Sequence, residues 1–263
     1  MNIDFANLKL AYKEHQEAFE KEIFRVLSNA QYIMGPEVGK LESELIKYTG
    51  AKHSISCSSG TDALLIAMLA IDIKPGDEII TSPFTFISTA ETIALLGAKP
   101  VFVDINKKTF NIDADLIENK ITNKTKAIIP VSLFGQVADM DEINTIAKKH
   151  NLSVIEDAAQ SFGATYKGKK SCNLSTVACT SFFPAKPLGC FGDGGAIFTS
   201  NSTLAEKIKC LRVHGQTEPY KHKHIGLTAR LDNLQAAVLL IKLKSYNETI
   251  NLRQAAAERY NKK

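Results

Sequence analysis

Lys186 stands between two prolines in the run Phe182-Phe183-Pro184-Ala185-Lys186-Pro187-Leu188-Gly189, just ahead of the glycine-rich Gly192-Asp193-Gly194-Gly195. Proline locks φ, so this amine is carried on a stiff backbone and is partly withdrawn from water. Those conditions lower an amine's pKa and make it a Schiff-base nucleophile. Most lysines are solvated surface charges, and by itself the segment reads better that way. Upstream, Glu156 and Asp157 close the apolar pair Val154-Ile155. An ionised carboxylate at the end of a buried strand needs a cationic partner. A ligand's protonated ring nitrogen would serve, and a helix cap formed by Asp157 is an equal reading. Further upstream still runs Ser56-Cys57-Ser58-Ser59-Gly60-Thr61-Asp62. A strand passing through Gly60 into a helix would turn free N–H groups and the positive end of the helix dipole toward a phosphate. Simple N-capping by Ser59 or Thr61 explains the same residues. The string is neither a Walker loop nor a dinucleotide-binding glycine turn, which weighs against nucleoside triphosphates and NAD.

These segments need elements to hold them. Apolar spacing predicts a helix ending near residue 30, stopped by Gly35-Pro36, and a second helix over Glu37–Tyr48. Strands and helices then alternate. Strands are predicted at His53–Cys57, Glu78–Thr81, Pro100–Asp104, Ala127–Ser132 and Ser153–Glu156, with helices at Asp62–Ile71, Ser88–Leu96 and Met140–His150. Two β-rich stretches follow, Val177–Phe183 and Gly195–Thr199, and from Asn233 to the end the pattern is helical. The alternation predicts an α/β fold with a mainly parallel central sheet, helices on both faces and ligands at the carboxyl ends of the strands. The chain stops inside a helical stretch with no Gly or Pro stop signal, so a further C-terminal portion is expected to be missing.

Composition narrows the function. Of 263 residues, 44% are hydrophobic and 23% charged, the profile of a soluble globular protein. The formal charge is only +4, and Lys221-His222-Lys223-His224 is the one basic cluster, so a small anionic substrate suits the chain better than nucleic acid. The five cysteines form no Cys-x-x-Cys pair and the six histidines no His-Glu-x-x-His pattern, which argues for reduced thiols and against a metal site. The longest apolar run, Ala63–Ile71, falls far short of the ~20 residues of a membrane span. With no apolar signal region at the start, a cytoplasmic location is expected.

A phosphate cradle, a strand-end acid and a constrained lysine, in this order, match what pyridoxal 5'-phosphate (PLP) requires: an anion site, a partner for the ring nitrogen and an anchor for the aldehyde. The strings Ser58-Ser59-Gly60-Thr61-Asp62-Ala63-Leu64, Glu156-Asp157-Ala158-Ala159-Gln160-Ser161-Phe162-Gly163-Ala164 and Ser181-Phe182-Phe183-Pro184-Ala185-Lys186-Pro187-Leu188-Gly189 resemble the DegT/StrS-type sugar aminotransferases, PLP enzymes of fold type I. The resemblance runs from about Asp4 to the last residue and takes in Phe84-Thr85-Phe86 and Arg230-Leu231-Asp232-Asn233-Leu234-Gln235. It implies that Lys186 carries the cofactor and shuttles the proton, and that Asp157 partners the pyridinium nitrogen. It also implies that Gln160 bonds the ring oxygen, that Phe86 stacks on the ring, and that Gly60, Thr61 and Ser181 hold the phosphate. Arg230 would reach that phosphate from the neighbouring subunit, making the site a property of a homodimer.

The implied reaction moves an amino group from L-glutamate to a keto group of a nucleotide-linked sugar. Within the family, the run around Lys186 together with Arg230 looks most like the branch acting on UDP-2-acetamido-2-deoxy-3-oxo-glucuronate, which serves surface polysaccharide synthesis. The implied organisation is an N-terminal arm and helix (1–30), a large PLP-binding domain (31–240) and the start of a helix (241–263) leading to a small domain that this chain lacks. A PLP-binding but inactive truncated or regulatory homologue is the alternative. A sugar dehydratase on the same scaffold is disfavoured because Lys186 is present.

Overall fold

A computed structural model describes residues 7–262. Of the arm and helix expected over 1–30, residues 1–6 therefore lie outside the described residues. Three helices open the chain: α1 (Leu8–Lys13), α2 (Gln16–Asn29) and α3 (Pro36–Thr49). Helix α3 begins with Pro36 in its first turn and ends at Gly50 in the left-handed region (φ 76°), the asymmetry expected of a start set by proline and a stop set by glycine. The alternating part follows as β1 (His53–Cys57), α4 (Gly60–Ala70), β2 (Glu78–Thr81), α5 (Ser88–Leu95), β3 (Lys99–Phe102), α6 (Ala114–Ile117), β4 (Thr125–Ile129), α7 (Met140–Lys149) and β5 (Ser153–Asp157). Then come a short hairpin, β6 (Thr165–Tyr166) and β7 (Lys169–Lys170), and the strands β8 (Val177–Ser181) and β9 (Gly195–Thr199). Helix α8 (Ser202–Leu211), a second hairpin of β10 (Gln216–Glu218) and β11 (Lys221–His222), and helices α9 (Asn233–Lys244) and α10 (Tyr246–Asn261) complete the chain.

Seven strands form one sheet in the order β1-β9-β8-β5-β4-β2-β3. Pairs from β8 through β3 are parallel, and only β9 runs against its two neighbours. The expected mainly parallel sheet is therefore present. Because side chains alternate across a strand, each strand divides its residues between two cores. Ile155, Cys179, Ile197 and Ile55 share one face with Leu64 and Ile66 of α4 and Ile208 of α8. Ala178 and Phe198 lie on the other with Leu41 and Leu45 of α3 and Leu239 of α9, and Val154 packs there beside Ile143 of α7. Helix α4 is buried almost all round, which its run Ala63-Leu64-Leu65-Ile66-Ala67-Met68 requires; each such large side chain contributes about 1.5–3 kcal/mol.

Three local features differ from the sequence reading. The strand expected over 127–132 ends at Ile129, because Pro130 has no N–H to continue the ladder. Pairing resumes at Val131, and Asp157 is gripped there, its N–H donating to the Pro130 carbonyl at 2.9 Å and its carbonyl accepting from Ser132 N at 3.0 Å. Helix α8 is an additional element, capped by the Asn201 side chain. The C-terminal helical stretch is two helices, not one, broken at Ser245. Tyr246 then anchors α10 by donating its hydroxyl to the Phe162 carbonyl at 2.6 Å. Among the described residues no helix is long and apolar enough to cross a membrane.

Candidate active site

A cavity of about 520 Å³ opens where the carboxyl ends of β5 and β8 meet the N-terminus of α4. Gly60, Thr61, Phe86, Asp157, Gln160, Ser181 and Lys186, seven of the eight residues singled out from the sequence, line it. Arg230 does not; it is half-buried elsewhere, and among the described residues no carboxylate lies within ion-pair distance of it.

One end of the cavity is the start of α4. Ser59 is the N-cap, its side chain accepting from Asp62 N at 3.0 Å and donating to Asp62 Oδ2 at 2.9 Å. The capping reading of Ser59 is thus correct, and it leaves the neighbouring backbone at Gly60 and Thr61 lining the cavity. Glycine is required at position 60 by crowding: a Cβ there would lie 2.7 Å from Ser181 Cβ. Gly195 solves the same problem from β9, where a Cβ would stand 2.4 Å from the Ser59 carbonyl oxygen. The Ser181 hydroxyl, which accepts from Phe183 N at 3.2 Å, is therefore brought against the first turn of the helix.

Asp157 is the cavity's acid. The register pairs it with Cys179, and alternation turns it to the α4 side while Glu156 turns away. Its Oδ2 accepts from the Thr89 hydroxyl at 2.9 Å and its Oδ1 from Ala159 N at 3.2 Å. Burial pushes its carboxyl above the usual range, opposed by these two donors and by the charge of Lys186. An added cation inside the cavity would offset that burial. Glu156, fully buried on the opposite face, accepts from Ser171 Oγ at 2.7 Å and Cys172 N at 3.0 Å, and burial lifts its pKa to about 7.

Lys186 is half-buried on a turn whose backbone is closed on itself. Lys186 N donates to the Phe183 carbonyl at 2.8 Å, and Cys190 N to the Phe182 carbonyl at 2.8 Å. A Cβ on Gly189 would sit 2.5 Å from the Pro184 oxygen, so the turn tolerates only glycine there. Lys242 of α9 reaches across to donate to the Gly189 carbonyl at 2.6 Å, its ammonium 4.7 Å from the Phe191 ring centroid. The stiffness inferred from the flanking prolines is thus joined by anchoring from a distant helix, which no local pattern announces.

Gln160 accepts from Phe134 N through Oε1 at 2.9 Å, which leaves its NH₂ group to face a ligand. Phe86 lines the mouth and is 66% exposed, a ring with one face to offer. Sequence reading missed Thr85, which also lines the cavity, and Thr89, which supports Asp157. Threonines at the start of a helix carry no chemical signature, and only the tertiary contact reveals them.

The profile of the DegT/DnrJ/EryC1/StrS aminotransferase family matches residues 13–263. The chain is 58% identical over 258 residues to UDP-2-acetamido-2-deoxy-3-oxo-D-glucuronate aminotransferase of Pseudomonas aeruginosa, covering 98% of this chain and 72% of that protein. The crystal structure of a DegT/DnrJ/EryC1/StrS aminotransferase from Brucella abortus superposes with a TM-score of 0.95 at 38% identity, over 99% of this chain and 72% of that one. NtdA from Bacillus subtilis, solved with bound cofactor PMP, does so with a TM-score of 0.88 at 36% identity, over 93% of this chain and 56% of that one.

Proposed function

Because the chain belongs to the DegT/DnrJ/EryC1/StrS aminotransferase family, we propose that it is a PLP-dependent aminotransferase that passes an amino group from L-glutamate to the keto group of a nucleotide-linked sugar. One observation carries this reading: a single cavity lined by the start of α4, by a buried carboxylate and by a lysine on a rigid turn. PLP fits that set of groups. Its phosphate matches the Gly60 and Thr61 backbone and the Ser181 hydroxyl at a helix N-terminus. Its protonated ring nitrogen is the cation that buried Asp157 calls for, and its aldehyde carbon requires an amine such as Lys186.

Bound there, the cofactor supplies a cationic conjugated ring that accepts electron density from the carbon being deprotonated. The protein supplies the rest. Asp157 holds the proton on the ring nitrogen. The Gln160 amide donates to the ring oxygen, and Phe86 covers one face and keeps water off it. The Lys186 amine takes a proton from the substrate carbon and returns it, acting as base and then as acid. The similarity to the P. aeruginosa protein supports a UDP-linked 3-oxo sugar as acceptor; surface polysaccharide or glycan synthesis in the cytoplasm is the setting this reading proposes.

The working unit in this reading is a homodimer in which Arg230 of one subunit reaches the phosphate held by the other. Phe84, Phe86, Ile87, Phe134 and Phe183 are each at least 44% exposed, and rings as close as Phe84 and Phe110 (6.0 Å between centroids) form an apolar patch of the kind a partner subunit covers. The proposal also takes residues 31–240 as the cofactor-binding domain, preceded by α1 and α2 and followed by the end of α9 and by α10. Borohydride reduction in the presence of PLP, followed by peptide mapping, should place the label on Lys186, and label on another lysine would overturn the assignment. Glutamate offered with a panel of UDP- and dTDP-linked keto sugars then identifies the acceptor.

A further inference from the structure

Helix α5 carries two buried threonines whose hydroxyls behave differently. Thr92 takes the local solution for a helical threonine and returns its hydroxyl to the Ser88 carbonyl at 2.8 Å. Thr89, with no exposed surface, turns its hydroxyl out of the helix and across to the sheet, 2.9 Å from Asp157 Oδ2. The Thr85 hydroxyl lies 3.0 Å from the same Thr89 oxygen. An ionised carboxylate only accepts, so with Asp157 charged the chain of hydrogens has one direction: Thr85 donates to Thr89, and Thr89 donates to Asp157. The other carboxylate oxygen accepts from Ala159 N, so two separate elements each grip one oxygen. Thr89 does not line the cavity, whereas Thr85, Phe86 and Asp157 do.

We propose that Thr89 is a positioning residue for this site, holding Asp157 ionised and turned toward the cavity through its hydroxyl. The inference rests on the PLP reading above and extends it. Thr89 N donates to the Phe86 carbonyl at 3.3 Å, so the residue that orients the acid shares one helical turn with the aromatic that covers the ring. The ring's edge and the ring's face are thereby set by the same piece of backbone. The charged and titratable groups around Asp157 are few. Lys186 favours its ionised form, Glu156 lies beside it on the opposite face, and Cys179 of β8 and Cys172 are thiols held neutral by burial. Helix α5 contributes hydroxyls at this contact. Within the protein, the Thr89 hydroxyl and the Ala159 N–H are the hydrogen-bond donors that hold the Asp157 carboxylate.

The test compares wild type with Thr89→Val, which keeps the shape and loses the hydroxyl, and with the pair Thr89→Ser and Thr89→Ala, which both lose the methyl and differ only in the hydroxyl. In the cofactor-free protein, Asp157 is titrated by carboxyl ¹³C NMR. A hydrogen bond to a charged group is strong enough that the Val and Ala variants should titrate about one pH unit higher than wild type, with Ser close to wild type. With ¹⁵N-labelled PLP bound, the ring-nitrogen signal should report loss of the proton at lower pH in Val and Ala, together with roughly tenfold weaker retention of the cofactor. An unchanged Asp157 midpoint and unchanged ring-nitrogen protonation in a folded Val variant would overturn the proposal. Should Val fail to fold, identical titration of the Ser and Ala proteins would do so. Failure of the wild type to take up PLP would refute the cofactor reading alone, because the cofactor-free titration still judges Thr89.

Discussion

Glu156 and Asp157 are adjacent in the chain and are separated by the sheet. Alternation sends Asp157 into the cavity and Glu156 into a dry network with Ser171, whose hydroxyl also meets Ser161 at 2.7 Å. Glu156 therefore ties β5 to the loop before β8 through two bonds that it accepts, while burial favours its protonated form. Its folded pKa of about 7 lies above the ordinary value of 4.5. A raised pKa means that the folded protein holds a proton the unfolded chain has released. This contribution to stability is complete below pH 4.5 and is lost as pH rises through about 7. Glu156→Gln imitates the protonated form at every pH. Urea denaturation should find the variant more stable than wild type at pH 8, by up to about 3 kcal/mol, with the two converging toward pH 4. Parallel curves for the two proteins would rule out a protonated Glu156 in the folded protein. Some decline with pH should persist in the variant, because burial raises Asp157 as well.

At the scale of elements, the site depends on how closely α4 approaches the ends of β8 and β9. Gly60 and Gly195 make that approach possible by lacking side chains. Gly60→Ala places a methyl 2.7 Å from Ser181 Cβ and 3.3 Å from its Cα, a contact that only a shift of helix or strand relieves. Overpacking of this kind costs about 1–3 kcal/mol. The helix start and the Ser181 hydroxyl should also separate, so PLP affinity should fall by more than the loss of stability explains. Fluorescence titration with PLP beside a denaturation curve checks both, and unchanged affinity in a destabilised variant would remove this contact from the phosphate site. The anchoring of the Lys186 turn by Lys242 of α9 is a second dependence between elements far apart in sequence.

For the whole molecule, the proposal to test is that Arg230 serves the site of a partner subunit. Its absence from the cavity lining of its own chain, together with the exposed aromatics near the mouth, supports service across a homodimer. Arg230→Ala and Lys186→Ala proteins, each inactive alone, should regain activity when unfolded together and refolded. In a mixed dimer both lesions fall in one site and the other site is intact. Random pairing of two-fold dimers predicts recovery of about a quarter of wild-type activity. No recovery from proven mixed dimers would assign Arg230 to its own subunit or to another task.

The α/β class and the alternating strands were legible in the sequence because each is a local signal, whereas Lys186, Asp157 and the Gly60 turn stood out only when the three segments were taken together with the family resemblance. Period-2 and period-3.6 hydrophobic patterns, proline and glycine at fixed offsets, and an acid ending an apolar strand all act within a few residues. What those signals left out is either weakly local or not local at all. The break at Ser245 has no Gly or Pro to mark it, and the extra helix α8 is as long as α7 yet follows a β-rich stretch that masked its pattern. Thr89 on Asp157, Lys242 on Gly189 and the requirement for glycine opposite Ser181 join residues far apart in the chain. Such contacts exist only once the parallel strands are in register and the helices have closed on them. The sequence by itself determined which groups could do chemistry, and the tertiary structure decided which of them meet and what holds them there.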